Sequence, residues 1–273
     1  MNPEEIVSAN REFYDQNAGD YEAFQWYFRN RYMQRFWQEE IDLIADGIEK
    51  KPFRVLDVGC GTGNLTMKFL KHDCHITAMD VSRNMLDLLK AKLADRDLER
   101  VSFEVNALDS FLSGTHEPFD AVVECSVLHH LLEYEPYLAQ IAPLVRPGGF
   151  VLITREPVAK DELSRPSLLT PLVDWVITRG QARMLRSLRE KGKLLKKKAP
   201  DHSLAALHYY RNGVSFKRLL EASGDAFEVV RYRKYNRRFL SLFSRLENTV
   251  FQAMRRERFQ YTFFSAILRK RPA

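Results

Sequence analysis

The sequence predicts an α/β fold, a doubly wound and mostly parallel sheet with helices on both faces. Strand-like and helix-like segments alternate at βαβ spacing from residue 53 to residue 155. The segment 119–124 is an almost unbroken apolar run, as a strand buried on both faces requires. A turn with three glycines follows the first strand, and such turns join strand to helix where open α/β sheets bind their ligands.

The glycine turn is the stretch around which the chain is organised. Apolar residues and Asp57 lead into glycines at alternate positions, Gly59, Gly61 and Gly63. Because glycine has no Cβ, its backbone can touch a ligand, and the helix that follows offers free N–H groups to an anion. The third glycine comes one residue early for the G-x-G-x-x-G fingerprint of dinucleotide-binding turns. The turn therefore indicates a ligand of another class.

A carboxylate ends the second predicted strand. Residues 74–79 have a strand pattern, and Asp80 follows them, about 20 residues beyond the turn, where such folds place the acid that binds ribose hydroxyls. An acid at a strand end is also typical of a helix N-cap, and the sequence from Ser82 onward resembles a helix start. In combination with the glycine turn, Asp80 is predicted to bind ribose.

The pattern D-x-G-x-G-x-G after an apolar strand resembles the first motif of the class I S-adenosylmethionine-dependent methyltransferases. Residues Leu144 to Gly149, before the fifth strand, match a second family motif with one extra residue. Residues 53–155 carry the resemblance, which is greatest to the ubiquinone/menaquinone and natural-product enzymes that act on small molecules. It implies a Rossmann-like, seven-stranded sheet with an antiparallel seventh strand beside the sixth. It also implies S-adenosylmethionine as cofactor and S-adenosylhomocysteine as product.

The resemblance also implies a set of cofactor-binding residues, drawn from the N-terminal segment, the glycine turn and the ends of strands two to four. They are Tyr21, Asp57, Gly59, Cys60, Gly61, Gly63, Asp80, Val81, Met85, Asn106, Ala107 and Cys125. Asn106 stands where the family commonly has aspartate. Tyr21 ends a segment, 13–21, that resembles a helix closing over the cofactor, and helix packing is the alternative role for it and for Tyr14.

Two histidines are the candidates for a general base. Methyl transfer from a sulfonium is an in-line displacement, so positioning supplies most of the acceleration. A hydroxyl acceptor must also lose a proton, which histidine can accept near neutral pH. His129 and His130 follow the fourth strand, where the resemblance places the sulfonium, and His130 is preferred. The alternatives are a structural role for both histidines and a metal site formed with Glu124; we predict no metal.

The charge is divided along the chain. The net charge is +6, yet residues 1–150 carry 15 Lys and Arg against 25 Asp and Glu, and residues 151–273 carry 27 against 11. Such asymmetry indicates a nucleic acid, an anionic membrane surface or an acidic substrate as partner. The apolar runs are too short to span a bilayer, no leader pattern precedes them, and the three cysteines lack disulfide or zinc spacing. These features predict a cytoplasmic protein.

The chain divides into four predicted parts. They are an N-terminal helical cap (1–50), the S-adenosylmethionine-binding core (51–157), a basic helical lid (158–213), and a C-terminal part (214–273) with strands six and seven and an amphipathic helix at 239–256. In the resembled fold an insertion after strand five covers the acceptor pocket. We therefore expect the lid to determine the acceptor.

The leading functional hypothesis is methyl transfer to a small or lipid-like acceptor, at oxygen. A second hypothesis is an RNA methyltransferase whose basic half contacts phosphate, but no RNA-binding module is recognisable around the lysines. A third is a non-catalytic protein that binds anionic lipid through residues 239–258. An inward-packing lid helix is the favoured interpretation of that segment. Peripheral membrane association is compatible with catalysis, and the sequence predicts no oligomeric state.

Overall fold

The computed structural model describes residues 2–28, 30–162, 213–235 and 263–272. They contain one seven-stranded sheet in the order β3-β2-β1-β4-β5-β7-β6. The strands are β1 (Phe53–Val58), β2 (Cys74–Asp80), β3 (Val101–Val105), β4 (Phe119–Cys125), β5 (Val145–Pro157), β6 (Phe227–Tyr235) and β7 (Phe263–Lys270). Strand β7 runs antiparallel to β5 and β6, and the pairs among β1 to β5 are parallel. The expected doubly wound sheet is confirmed.

The helices lie between and before the strands. They are α1 (Pro3–Asn17), α2 (Tyr21–Phe24), α3 (Arg31–Asp46), α4 (Thr66–Phe69), α5 (Arg83–Lys90), α6 (Asp95–Leu98), α7 (Leu108–Leu112), α8 (Tyr137–Ile141) and α9 (Phe216–Ser223). Several are shorter than their sequence patterns predict. The sequence pattern between β4 and β5 predicts a helix over about 133–145. Only α8 forms there, because Pro136 precedes it and Pro143 lies in the 3-10 turn that follows it.

Two further bounds differ from the sequence-based expectation. Strand β5 begins at Val145 rather than at Phe150, because Val145 already pairs with Phe119 of β4, ahead of a shift in register between the two strands. The sequence pattern predicts one helix from Ser82 to about Asp95, but α5 ends at Lys90, and a separate short helix, α6, begins at Asp95. Residues 163–212, with most of the predicted lid, and the predicted helix 239–256 lie outside the described residues. The four-part division of the chain stays a prediction.

The central strands of the sheet are buried on both faces because their apolar side chains alternate between two clusters. Val55, Val123 and Leu152 pack with α3 on one face. Leu56 and Val122, their chain neighbours, pack with α8 and α9 on the other. Successive residues of a strand point to opposite faces, so an unbroken apolar run serves both clusters at once. Within the described ranges, no helix is long and apolar enough to span a membrane.

Helix α3 is attached to the sheet through one buried tryptophan. Trp37 is fully buried, and its Nε1–H donates to Oγ1 of Thr154 in β5 at 3.0 Å. The buried carboxylate of Glu40, one turn along the helix, lies 3.3 Å from both Arg231 and Arg233 of β6. The helix therefore connects the middle of the sheet with its β6 edge.

Replacing Trp37 by Ala should lower the free energy of unfolding by about 3–5 kcal/mol, because a large buried side chain is removed. Trp37→Phe keeps much of the packing and leaves the Thr154 hydroxyl without its donor, for an expected loss of about 1–3 kcal/mol. Urea denaturation measures both. The control is Arg35→Ala on the exposed side of α3, where a change beyond about 0.5 kcal/mol would contradict this account of the helix.

Candidate functional site

A cavity of about 330 Å³ lies where the carboxyl ends of β1, β2 and β4 meet. Ligand pockets in proteins hold roughly 300–1,000 Å³, so this volume suits a small molecule. Helix α1 forms the wall opposite the sheet. The cavity brings together ten of the residues predicted from the sequence, namely Tyr21, Gly59, Gly61, Asp80, Val81, Met85, Asn106, Ala107, Cys125 and His130.

The carboxylate of Asp80 is fixed at the edge of this cavity. Its Oδ2 accepts the Gly61 N–H at 2.8 Å, and its Oδ1 accepts the Ser82 N–H at 2.9 Å. Burial raises the pKa of Asp80 to about 6, although these backbone donors act in the opposite direction. Each oxygen keeps a lone pair for a further donor. The group is thus placed to accept two hydroxyl hydrogen bonds from a ligand.

The glycines of the turn have different tasks. Gly61 has φ +54°, and a Cβ there would meet no atom within 4 Å, so its missing side chain leaves space in the cavity. Gly63 does not line the cavity. With φ +90°, it lies so close to Leu89 of α5 that a Cβ would come within 2.2 Å of that side chain. Gly63 therefore allows α5 to pack against the turn, and the ligand contact predicted for it stays a prediction.

Two other residues of the motif lie behind the turn. Asp57 is buried and accepts a hydrogen bond from Thr66 Oγ1 at 2.6 Å. Burial raises the pKa of Asp57 to about 7. The Cys60 N–H donates to the Met79 carbonyl at 2.9 Å, which joins the turn to β2. Neither side chain is among those that line the cavity, and both contribute to the shape of the turn.

Helix α1 supplies a cavity wall of which the sequence pattern indicated only the Tyr14 end. Ile6, Asn10 and Tyr14 all line the cavity. Their spacing of four residues places them on one face of a helix, and that spacing is the signal that could have identified them. Tyr14 Oη lies 3.1 Å from His130 Nε2, and the two rings meet edge to face. Burial raises the pKa of the Tyr14 phenol well above its ordinary value, so the phenol keeps its proton.

The adjacent histidines have different surroundings. His130 lines the cavity, whereas His129 is buried and does not line it. His129 Nδ1 lies 2.8 Å from Glu156 Oε2. A carboxylate contact of this kind orients the ring and fixes its position against β5.

Glu156 holds the whole segment after β4. Its Oε1 accepts the N–H groups of Val127 at 2.6 Å and of Leu128 at 2.9 Å, and its Oε2 accepts the His129 N–H at 3.1 Å. Glu124, also fully buried, has a pKa raised well above its ordinary value, first by burial and then by the charge of Glu156. Glu124 is therefore a neutral carboxyl group beside a carboxylate. The sequence analysis assigned no functional role to Glu156.

No metal site is formed by the described residues, in which no group of three or more His, Cys, Asp or Glu side chains could hold an ion. Cys60, Cys74 and Cys125 are free thiols.

Substituting Glu156 by Gln should lower the free energy of unfolding by about 2–4 kcal/mol, because an amide presents N–H groups where three backbone donors and His129 need an acceptor. The matched control is Glu124→Gln. Its amide replaces a neutral carboxyl group, so the expected change stays within about 1 kcal/mol. Urea denaturation at pH 7.5 compares the two, and equal losses would contradict the different ionisation of the pair.

The segment that forms the cavity is similar in sequence to known methyltransferases. The family described as "Methyltransferase domain" matches residues 56–151. The chain is 26% identical over 114 residues to the ubiquinone biosynthesis O-methyltransferase of Xylella fastidiosa. This match spans 42% of this chain and 46% of that protein. It is 33% identical over 113 residues to the mitochondrial human protein of that name, covering 41% of this chain and 30% of that one. The chain thus matches less than half the length of these relatives.

Two solved structures have a similar fold at low sequence identity. Magnesium protoporphyrin IX methyltransferase of Synechocystis, solved with S-adenosylhomocysteine, is 16% identical with a TM-score of 0.53, over 98% of this chain and all of that one. A Haemonchus contortus phosphoethanolamine N-methyltransferase is 17% identical with a TM-score of 0.56, over 97% of this chain and 60% of that one. Residues 56–151 therefore match a methyltransferase domain, and the chain has the fold of these two methyltransferase structures.

Proposed function

We propose that this protein transfers a methyl group from S-adenosylmethionine to an oxygen atom of a small or lipid-like acceptor. The observation that carries the proposal is the single cavity into which the glycine turn and the fixed carboxylate of Asp80 both face. The relatives named as ubiquinone biosynthesis O-methyltransferases support oxygen as the atom methylated. For the acceptor, we propose only its chemical class, a small or lipid-like molecule.

The residues present fit the cofactor. Asp80 would accept the ribose hydroxyls, and the open space beside Gly61 would admit the ligand close to the backbone. Asn106 and Ala107 would lie against the adenine, and Cys125 would lie near the methionine end. Bound in this way, the cofactor would supply an electrophilic methyl group. The chain's own task is then to orient the acceptor and exclude water.

His130 is the proposed general base. Its Nε2 lies at the cavity beside the Tyr14 phenol. An acceptor hydroxyl that takes the place of the phenol at Nε2 would pass its proton to that nitrogen as its oxygen gains the methyl group. The Glu156 contacts to the backbone of residues 127–129 would hold the segment that carries the ring in position. His129, bonded to Glu156 away from the cavity, is proposed as a structural residue.

The other hypotheses from the sequence rest on residues outside the described ranges. The lysine-rich part of the predicted lid and the segment 239–258 would carry contacts with RNA or with an anionic membrane surface. Methylation of RNA and binding to lipid therefore stay predictions, and no described feature favours either over a small acceptor.

The affinity for S-adenosylhomocysteine should fall as pH falls through about 6, because Asp80 has a raised pKa and its protonated form accepts ribose hydroxyls poorly. Asp80→Asn should weaken binding by about 1.5–3 kcal/mol, or roughly tenfold to 150-fold, and should remove most of the pH dependence. Calorimetric titration from pH 5 to pH 8 measures both effects.

The control for this titration is Asp87→Asn, which removes an exposed carboxylate on α5. This variant should bind S-adenosylhomocysteine with the affinity of the wild type. Unchanged affinity in Asp80→Asn would overturn the ribose assignment. Absence of binding by folded wild-type protein at millimolar ligand would overturn the proposed function.

His130→Gln should reduce methyl transfer about 10²- to 10⁴-fold while leaving the affinity for S-adenosylhomocysteine within about threefold of wild type. Transfer of labelled methyl from S-adenosylmethionine to a panel of phenolic acceptors measures the rate. The comparison variant is His129→Gln, whose main effect should be on stability. Equal rates in His130→Gln and wild type would remove His130 as the base.

A further inference from the structure

Arg155 occupies an unusual position in β5. It lies where the register between β5 and β7 shifts by one residue, between Thr154 and Glu156. Its φ is +61°, in the left-handed region that residues other than glycine seldom adopt. Ser126, at the end of β4, has φ +67°. These two residues are hydrogen-bonded to each other, since Arg155 Nη1 donates to Ser126 Oγ at 2.6 Å.

The Arg155 guanidinium lies near the faces of two aromatic rings. Its Cζ lies 3.9 Å from the centre of the Tyr27 ring and 5.6 Å from that of Phe263. Attraction to aromatic faces stabilises a cation and leaves its N–H groups free at the edge of the plane. Among the described residues, no carboxylate oxygen lies within 4.0 Å of this guanidinium, and its one hydrogen-bond acceptor is Ser126.

The positive charge of Arg155 is not balanced by its nearest neighbours. The ionisable groups that interact with it most are Tyr27, Cys125, Tyr21 and Tyr235. Burial raises the pKa of each of these groups, so all four are neutral near pH 7. Buried cations are normally paired with an acid because an isolated charge is costly to remove from water. Arg155 is 8% exposed, so part of the residue remains accessible.

Arg155 adjoins the proposed cofactor cavity. Its partner Ser126 lines that cavity, as do Cys125 and Tyr21. We propose that Arg155 binds an oxyanion, a carboxylate or phosphate group, of a ligand held in this cavity at the carboxyl ends of β4 and β5. The inference rests on the proposed function, which supplies two sources for such a group. One is the methionine carboxylate of the cofactor, and the other is an acidic group on the acceptor.

The geometry suits this task. The planar guanidinium presents paired N–H donors that match the two oxygens of a carboxylate or phosphate. Stacking on Tyr27 and the bond to Ser126 fix the plane before the ligand arrives, so little conformational freedom is lost on binding. Arg155 directly precedes Glu156 in β5, and Glu156 positions the segment that contains His130.

The test separates the two sources by calorimetry at pH 7.5. S-Adenosylhomocysteine and its analogue without the carboxylate are titrated into wild type and Arg155→Met. Benzoate and phenyl phosphate are then titrated into the S-adenosylhomocysteine complex, with benzamide as the neutral counterpart of benzoate. The matched control is Arg146→Met, a half-buried arginine that contacts Asp120 and Pro118 instead of the cavity.

Two results would support the proposal. If the cofactor supplies the oxyanion, Arg155→Met lowers the affinity for S-adenosylhomocysteine by about tenfold or more. The affinity for the analogue without the carboxylate does not change. If the acceptor supplies the oxyanion, Arg155→Met leaves the affinity for S-adenosylhomocysteine unchanged. The two anions then bind the wild type about tenfold more tightly than benzamide does, and Arg155→Met abolishes this preference. Arg146→Met behaves as wild type in both cases.

The proposal is overturned if wild type binds ligands equally well with and without the anionic group, a result that needs no variant. It is also overturned if a folded Arg155→Met variant keeps the preference. Should that variant fail to fold, Arg155→Gln, which can still donate to Ser126 but carries no charge, takes its place. If wild type does not bind S-adenosylhomocysteine at all, the proposed function fails, and benzoate against benzamide in the free protein still decides the role of Arg155.

Discussion

The site depends on one buried carboxylate. Glu156 of β5 accepts three consecutive backbone N–H groups and contacts the ring of the histidine that belongs to the last of them. These contacts fix the segment that leaves β4, and with it the cavity residues Ser126, Val127 and His130. A negative charge surrounded by N–H donors is stable in a protein interior, whereas the same charge without them would be very costly. These contacts join β4 and β5 beyond the last backbone hydrogen bonds between the two strands.

Strain is concentrated where those two strands end. The non-glycine residues of the described chain with positive φ are Ser126 and Arg155, and they are bonded to each other. Such conformations cost about 1–3 kcal/mol each and persist where the surroundings fix them. Here the Glu156 contacts, the register shift against β7 and the stacking on Tyr27 supply that constraint. The strained pair lies at the cavity edge, where local distortion positions side chains toward a ligand.

The fold could be predicted well from the sequence because its signals are local. The alternation of strand and helix, the apolar run of β4 and the spacing from Gly59 to Gly63 each lie within a few residues. The carboxylate at the end of β2 follows from the same pattern. The bounds of α8 could not be predicted as well, because Pro143 ends the helix earlier than the apolar pattern suggests.

The unpredicted parts of the site all depend on side chains distant in the sequence. Glu156 meets Val127, 29 residues away, and Tyr14 meets His130, 116 residues away. Neither contact has a spacing that a single sequence can reveal. The roles of Gly63 and Asp57 were also not readable from the motif, because a glycine that admits a ligand and one that admits a neighbouring helix look alike in sequence.

Helix α1 gives the cavity a wall with consequences of its own. Asp15 ties it to α5, accepting the Ser82 hydroxyl at 2.6 Å, and Arg11 donates to the Val81 carbonyl at 3.3 Å. A ligand that fills the cavity rests against this helix, so binding and the order of α1 are thermodynamically linked. Whatever loosens α1 lowers affinity, and whatever occupies the site protects α1 from exchange and proteolysis. Variation in these first 17 residues can therefore tune the site while the glycine turn stays the same.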